Sequence, residues 1–361
     1  MYLKKLSLIN YKNLPELEVE FCSGINCFIG QNGVGKTNLL DTVYYLAFCK
    51  SHTNNIDSQN IRHNEGFMML SGQFLRNNIE ENISVGVKKG VKKSFQRNKK
   101  EYERLADHIG LIPLVMVSPK DDVLISEGSA ERRKFIDGVI AQYDKEYLNQ
   151  LLEYNHALTQ RNCLLRAHNL DPDLLSVSEM IMVRKADYIY KKRIEFLEEF
   201  LPIFSHYYTV VSGGKEVANI EYRSSMQEGD LAELLAANRY RDDIIGYTTK
   251  GIHKDELEMF LGEYPLKKVA SQGQTKSFLV ALKLAQFFFL KKSKGVTPIL
   301  LLDDIFDKLD SSRVGQIVNL VSGNDFGQIF ITDTNRDHLD LLLETVNGEK
   351  KVFYLEDGRI V

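Results

Sequence analysis

Gly30-Gln31-Asn32-Gly33-Val34-Gly35-Lys36-Thr37 decides how this sequence folds. The stretch fits G-x-x-x-x-G-K-[ST], a loop that cradles phosphate groups. Ile25-Asn26-Cys27-Phe28-Ile29 before it reads as a short buried strand, and Asn38 to Cys49 after it as a helix. Gly30, Gly33 and Gly35 let backbone N–H groups turn toward an anion, and the helix N-terminus adds its partial positive charge. Lys36 would reach the β and γ phosphates of a nucleotide, and the Thr37 hydroxyl would hold Mg²⁺. Gln31, Asn32, Val34 and Asn38 complete the nucleotide-binding stretch. The bland reading, a chance Gly-rich turn, does not supply the strand on one side and the helix on the other.

A second half of such a site lies far downstream. Ile299-Leu300-Leu301-Leu302 is a buried strand that ends in Asp303-Asp304. Asp303 would hold Mg²⁺ through water, and Asp304 would polarise an attacking water. Strand ends favour Asp for ordinary reasons, so the pair gains its meaning from the loop upstream. Between the two halves sits Ala270-Ser271-Gln272-Gly273-Gln274, followed by an amphipathic helix from about Thr275 to Lys291. A Ser hydroxyl, a Gly N–H and a helix N-terminus all suit a γ-phosphate. S-x-G-Q before a helix resembles the signature motif of ABC-type ATPases, which assigns catalytic roles to Ser271, Gly273 and Gln274 beside Lys36, Asp303 and Asp304. After the carboxylates, Lys308-Leu309-Asp310 resembles the D-loop. Thr332-Asp333-Thr334 occupies the switch position, where transport ATPases of this class carry His.

Composition sets the bounds. The chain has 361 residues, 43% apolar and 26% charged, as a large two-lobed globular protein would. A net charge of −3 argues against wholesale polyanion binding and leaves room for local basic patches. Cys22, Cys27, Cys49 and Cys163 form no C-x-x-C pair and no metal spacing, so they read as reduced core thiols of a cytoplasmic protein. The N-terminal stretch is not a secretory signal. Phe278 to Leu290, the most apolar later run, contains Lys283 and Gln286 and is too short to span a membrane, so no membrane association is expected.

Along the chain, residues 1–21 read as an opening hairpin, with Leu17, Val19 and Phe21 alternating onto one face and Pro15 marking the turn. Ile83–Val87 and Val91–Phe95 read as a hairpin around Lys88-Lys89-Gly90. Lys88, Lys89, Lys92, Lys93, Arg97, Lys99 and Lys100 make it basic. It is either a lysine-protected edge or a finger that contacts nucleic-acid phosphates. Leu111–Val117 reads as a strand. From Ala130 to about residue 204 the spacing of Phe135, Val139, Tyr147, Leu151, Tyr154 and Leu158 is helical, interrupted near Pro172. Tyr207–Val211 and Val217–Tyr222 read as a strand pair around Ser212-Gly213-Gly214. The expected organisation is an N-terminal part of an ATPase head over 1–117, a mostly helical lobe over 118–240, and the C-terminal part of the head over 241–361.

These stretches together resemble the RecF family of bacterial recombination and repair proteins over essentially the whole chain. Gly30–Leu46 is similar to its P-loop helix, including Asn38. Ser118-Pro119-Lys120-Asp121-Asp122 resembles its S-P-x-D motif, and Glu131–Asp137 its R-R-x-F-L-D helix. Ala270–Gln274 and Leu301–Phe306 match its signature and Walker B. The family usually has Pro and Arg where Ile252 and Lys254 stand, and three threonines at 332–334 where the middle residue is Asp333. The resemblance implies an α/β fold, an ABC-type ATPase head with a P-loop α/β core and an antiparallel β subdomain. A compact helical lobe is inserted without a long coiled coil. It also implies a weak, DNA-dependent ATP hydrolase with ATP and Mg²⁺ as cofactors. It implies an ATP-dependent homodimer on double-stranded DNA, double-strand/single-strand junctions or gaps, and RecR and RecO as partners in loading recombinase. The ATPase subunit of a membrane transporter and a small-molecule P-loop kinase are the competing readings. The first would want His at the switch and a shorter span before the signature, and the second would need neither signature nor D-loop.

Overall fold

The computed structural model describes residues 1–76, 78–167, 171–306, 309–323, 325–334, 340, 343–345 and 348–361. Lys308 of the expected D-loop lies outside the described residues. Two compact units emerge. The first comprises Met1–Asp122, His206–Lys215 and Ser271–Val361, and the second Val123–Ser205 and Glu216–Ala270.

The first unit is built on two sheets. One is a parallel sheet in the order Lys350–Glu356, Ile25–Ile29, Ile329–Asp333, Ile299–Asp303, Leu114–Val117, with Arg359–Ile360 antiparallel at its edge. Ile299–Asp303 and Ile329–Asp333 are buried at every position, the near-continuous apolar pattern of a strand covered on both faces. The other sheet is antiparallel, in the order Leu14–Glu20, Tyr2–Tyr11, Phe67–Arg76, Ile79–Lys88, Ser94–Arg97, Lys100–Glu101. Here alternation holds, with Ile83, Val85 and Val87 inward and Lys88 out. The P-loop helix, Lys36–Phe48, joins a core that includes residues of both sheets. Gln328 stitches the sheets together: its side chain accepts from Leu3 N (2.7 Å) and donates to the carbonyls of Leu3 and Cys22 (2.8 Å each). These bonds satisfy a buried amide that would otherwise cost stability.

In the second unit the helical reading holds as Ser129–Tyr143, Lys145–Arg166 and Pro172–Ser212, whose last residues belong to the first unit. Asp144 caps the second of these helices by accepting from Tyr147 N. A three-stranded sheet, Ala218–Arg223, Glu256–Leu261 and Tyr264–Pro265, completes it.

Several expectations need correction. Tyr207–Val211 is the end of the long helix. Its aromatic and β-branched residues favour strand, but Phe204, Tyr208 and Val211 are buried at helical spacing, and packing overrides propensity. Residues 241–270, expected with the head, fall in the second unit because Glu256–Leu261 pairs along Ala218–Arg223. Pro15 lies inside the second strand, and the turn is Lys12-Asn13. Cys163 is exposed, whereas Cys22, Cys27 and Cys49 are buried, and all four thiols are free. Among the described residues no helix is long and apolar enough to cross a membrane.

Candidate nucleotide-binding site

The P-loop strand and the strand carrying Asp303 are not neighbours. Ile329–Asp333 lies between them, pairing Asp303 with Thr332 on one side and Ile29 with Asp333 on the other. This order brings three hydroxyl and carboxyl groups to one strand end. Thr37 Oγ1 donates to Asp303 Oδ1 at 2.9 Å across 266 residues of sequence, and Thr332 Oγ1 donates to the same oxygen at 2.8 Å. Asp303 is 2% exposed, and burial pushes its carboxyl above the usual aspartate range. The two threonine bonds and the Lys36 charge pull the other way, and Asp304 adds a like charge. Thr332 was read only as part of the switch. That it holds Asp303 follows from strand order, which no local spacing reveals.

Lys36, also buried, donates to the carbonyls of Gly30 (2.7 Å) and Gln31 (3.1 Å). Its ammonium thus lies against the loop that would receive phosphate. Gly33 and Gly35 have φ of +86° and +112°, which L side chains rarely adopt. A Cβ on Gly30 would fall 2.6 Å from the Leu355 carbonyl. Gln31, Asn32 and Gly33 are exposed, Val34 and Asn38 partly so. The donor set, clustered N–H groups with a lysine, a threonine hydroxyl and a carboxylate, fits a magnesium-bound nucleotide triphosphate.

Asp304 also has a positive φ, +46°, and its N–H faces the carbonyl and hydroxyl of Thr332 (3.2 Å each). Lys276 Nζ donates to its carbonyl at 2.8 Å. Lys276 sits on the helix Gln272–Lys294, which Ser271 opens with a capping box. Ser271 Oγ accepts from Gln274 N, and Gln274 Oε1 accepts from Ser271 N. Arg313, next to the Asp310 cap of Ser311–Val321, donates to the Gly273 carbonyl at 2.9 Å. The stretch Ser271–Gln274 is thereby tied to the segment after the strand Ile299–Asp303 of its own chain. On the same helix, Lys283 pairs with Asp121 at 2.7 Å, and Asp121 accepts from Ser118 N, which gives the S-P-x-D stretch a structural role.

The R-R pair of Glu131–Asp137 turns inward. Arg132 meets Glu256 through two bonds (2.7 and 2.9 Å) and donates to the Leu124 and Glu127 carbonyls, while Arg133 donates to the Asp255 carbonyl. Asp137 and Asp255 both pair with Arg193, which is 1% exposed. Ile252 is buried, and Lys254 stacks 4.9 Å over the Tyr247 ring, so both departures from the family pattern keep packed roles. In the basic hairpin, Lys93 is occupied by Asp57 and the Cys49 carbonyl, and Arg97 by Glu81. Lys88, Lys89 and Lys92 remain exposed at one tip, Lys99 and Lys100 at another. The pairing of Ile79–Lys88 with Ser94–Arg97 puts these tips about 20 Å apart along the strand, so they are not one finger.

The sequence family described as RecF/RecN/SMC N terminal domain matches residues 2–352. A protein of Phocaeicola vulgatus named DNA replication and repair protein RecF is 56% identical, over 100% of this chain and 98% of its own. The protein of that name in Porphyromonas gingivalis is 45% identical over both full lengths. The chain belongs to the RecF family. The solved structure of the recombination mediator protein RecF with ATP in the RecFOR pathway superposes with a TM-score of 0.89. It is 28% identical, covering 100% of this chain and 97% of that one. The Smc head domain from Pyrococcus furiosus, at 18% identity, has a TM-score of 0.59 over 100% of this chain and 96% of its own. The fold is thus that of an ABC-type ATPase head of the RecF and SMC kind, with no long coiled coil among the described residues.

Proposed function

We propose that this chain is an ATP-driven DNA-binding ATPase of recombinational repair and replication restart in the bacterial cytoplasm. The convergence of Thr37 and Thr332 on Asp303 beside Lys36 carries the reading, because only the fold assembles it and it suits the phosphates and metal of ATP. Lys36 leaves its carbonyls for the β and γ phosphates. Thr37 and Asp303 would hold Mg²⁺, which would supply neutralisation of the phosphate charge. Asp304 takes the proton of the water that attacks the γ phosphorus, and the bond to the ADP oxygen breaks. Ser271, Gly273 and Gln274 serve the nucleotide of a second copy, so a two-fold dimer closes two equivalent composite sites. The dimer sits on gapped DNA or a double-strand/single-strand junction, hydrolyses ATP slowly under DNA stimulation, and acts with RecR and RecO to load recombinase.

The composite site has a direct test. Lys36→Met keeps a good signature, and Ser271→Arg keeps a good P-loop. Each alone should show almost no ATPase with DNA present. Random exchange makes about half the dimers mixed, each with one intact site in two, so about a quarter of the wild-type rate should return. Tagged pull-down first establishes exchange, and a wild-type/Lys36→Met mixture establishes that one intact site turns over. If both controls pass and the mutant mixture stays dead, the composite site is wrong.

A further inference from the structure

Contacts that this chemistry does not use grip the phosphate loop. Tyr11 pairs with Leu14, closing the two-residue turn Lys12-Asn13 between the first two strands. Both turn side chains reach the nucleotide site's supports. Lys12 pairs with Asp41, a fully buried carboxylate of the P-loop helix that also accepts from Tyr11, Ser51 and the backbone of His52. Asn13 goes to the loop itself. Its Nδ2 donates to the Gly33 carbonyl at 2.9 Å, and its Oδ1 accepts from Asn38 Nδ2 at 2.8 Å. The loop is pressed against this turn, because a Cβ on Gly35 would fall 2.7 Å from Leu14 Cδ2 and 3.0 Å from Asn13 Oδ1.

The Gly33 carbonyl and the Val34 N–H belong to one planar trans peptide and point in opposite directions. With the oxygen bonded to Asn13, the N–H is aimed away from the turn. Gly33 itself restrains this peptide little: glycine has the widest choice of backbone angles, and a Cβ there would have nothing within 4 Å. A flipped peptide would offer phosphate an oxygen lone pair in place of a donor. The Asn13 amide makes both bonds at once through two separate atoms, Nδ2 donating to Gly33 and Oδ1 accepting from Asn38.

We propose that Asn13 is a positioning residue for the nucleotide, fixing the Gly33–Val34 peptide in its anion-receiving orientation through the Gly33 carbonyl. The inference rests on the nucleotide-site reading given above. The test is equilibrium binding of ATP and ADP to the full chain. Asn13→Ala should weaken both about tenfold, the effect of one lost hydrogen bond and a loop released to flip. Asn13→Asp keeps the acceptor for Asn38 but cannot donate to Gly33, and adds a charge of the wrong sign. It should therefore bind more weakly than Asn13→Ala. Single-turnover hydrolysis at saturating ATP should stay within about twofold of wild type for Asn13→Ala, since the same loop forms once filled. Melting without nucleotide should be unchanged. Wild-type affinity in Asn13→Ala overturns the inference. So does equal affinity in the Ala and Asp variants, or a loss of affinity matched by a fall in nucleotide-free melting. A wild-type chain that bound neither nucleotide would instead sink the function reading and the inference together.

Discussion

Lys36 and Arg193 are both buried cations, and they are held in different ways. Lys36 donates to two backbone carbonyls of a glycine-rich loop. Arg193 is met by Asp137, Asp255, the Ile252 carbonyl and Tyr147. Around it Tyr222 donates to Asp255, and Tyr154 donates to His253 Nδ1, whose Nε2 carries its proton toward the Thr248 carbonyl. Burial takes the His253 pKa down to about 4, so the ring is neutral at working pH. A cation whose bonds are to carbonyls can exchange them for phosphate oxygens at little cost. A cation enclosed by two carboxylates cannot leave without stranding both. Lys36 can therefore serve the proposed nucleotide role, whereas Arg132, Arg133 and Asp137, the motif residues of the second unit, are bonded within the lobe.

The largest expected effect falls on the acting side. Asp304→Asn should still bind ATP yet hydrolyse it at least about 100-fold more slowly, as removal of a general base does. Asp303→Asn should instead weaken the metal's hold. Single-turnover hydrolysis and nucleotide binding measured together separate the two. Unchanged hydrolysis in Asp304→Asn would remove it from the chemistry.

On the holding side, Arg193→Ala leaves two carboxylates facing each other in a buried site, and should cost about 3–5 kcal/mol of stability. Denaturant melting reads this. Lys36→Met should melt as wild type does while losing tight Mg-ATP binding. If Arg193→Ala melted normally and lost nucleotide dependence, the contrast between the two cations would be inverted.

What the sequence revealed follows the same division. Gly30–Thr37 and Ile299–Asp304 are legible because their chemistry needs fixed spacing on one loop or one strand end. The helices of the second unit are legible because burial repeats at helical period. Thr332 was not legible as the partner of Asp303, nor Asn13 as the partner of Gly33, because those contacts depend on strand order and on a turn folding back. The inward turn of Arg132 and Arg133 was not legible either, since a pair of arginines at a helix start carries no mark of the Glu256 and Asp255 that occupy them from over a hundred residues away. The seven basic residues near 88–100 looked like one surface for the same reason.

That surface supplies the last and smallest expected effect. DNA affinity should fall linearly with salt on logarithmic axes, because bound lysines release counterions from phosphates. Each exposed lysine that touches a phosphate contributes about one unit to that slope. Lys88, Lys89 and Lys92 share the sheet end at which Lys12-Asn13 grips the P-loop: Ile9 pairs with Met69, and Phe67 pairs with Lys88. Lys99 and Lys100 sit about 20 Å away along the strand. Reversing the first three to Glu should flatten the slope by up to about three units and weaken binding. Reversing only Lys99 and Lys100 should leave the slope within about one unit of wild type if the tip near the nucleotide makes the contact. Arg132→Ala and Arg133→Ala should lower the melting temperature and leave the slope alone, since both guanidinium groups are already bonded within the lobe. A slope that responds to the Lys99/Lys100 pair and not to Lys88, Lys89 and Lys92 would move the DNA contact to the far tip. A slope that responds to neither would make both tips soluble edges.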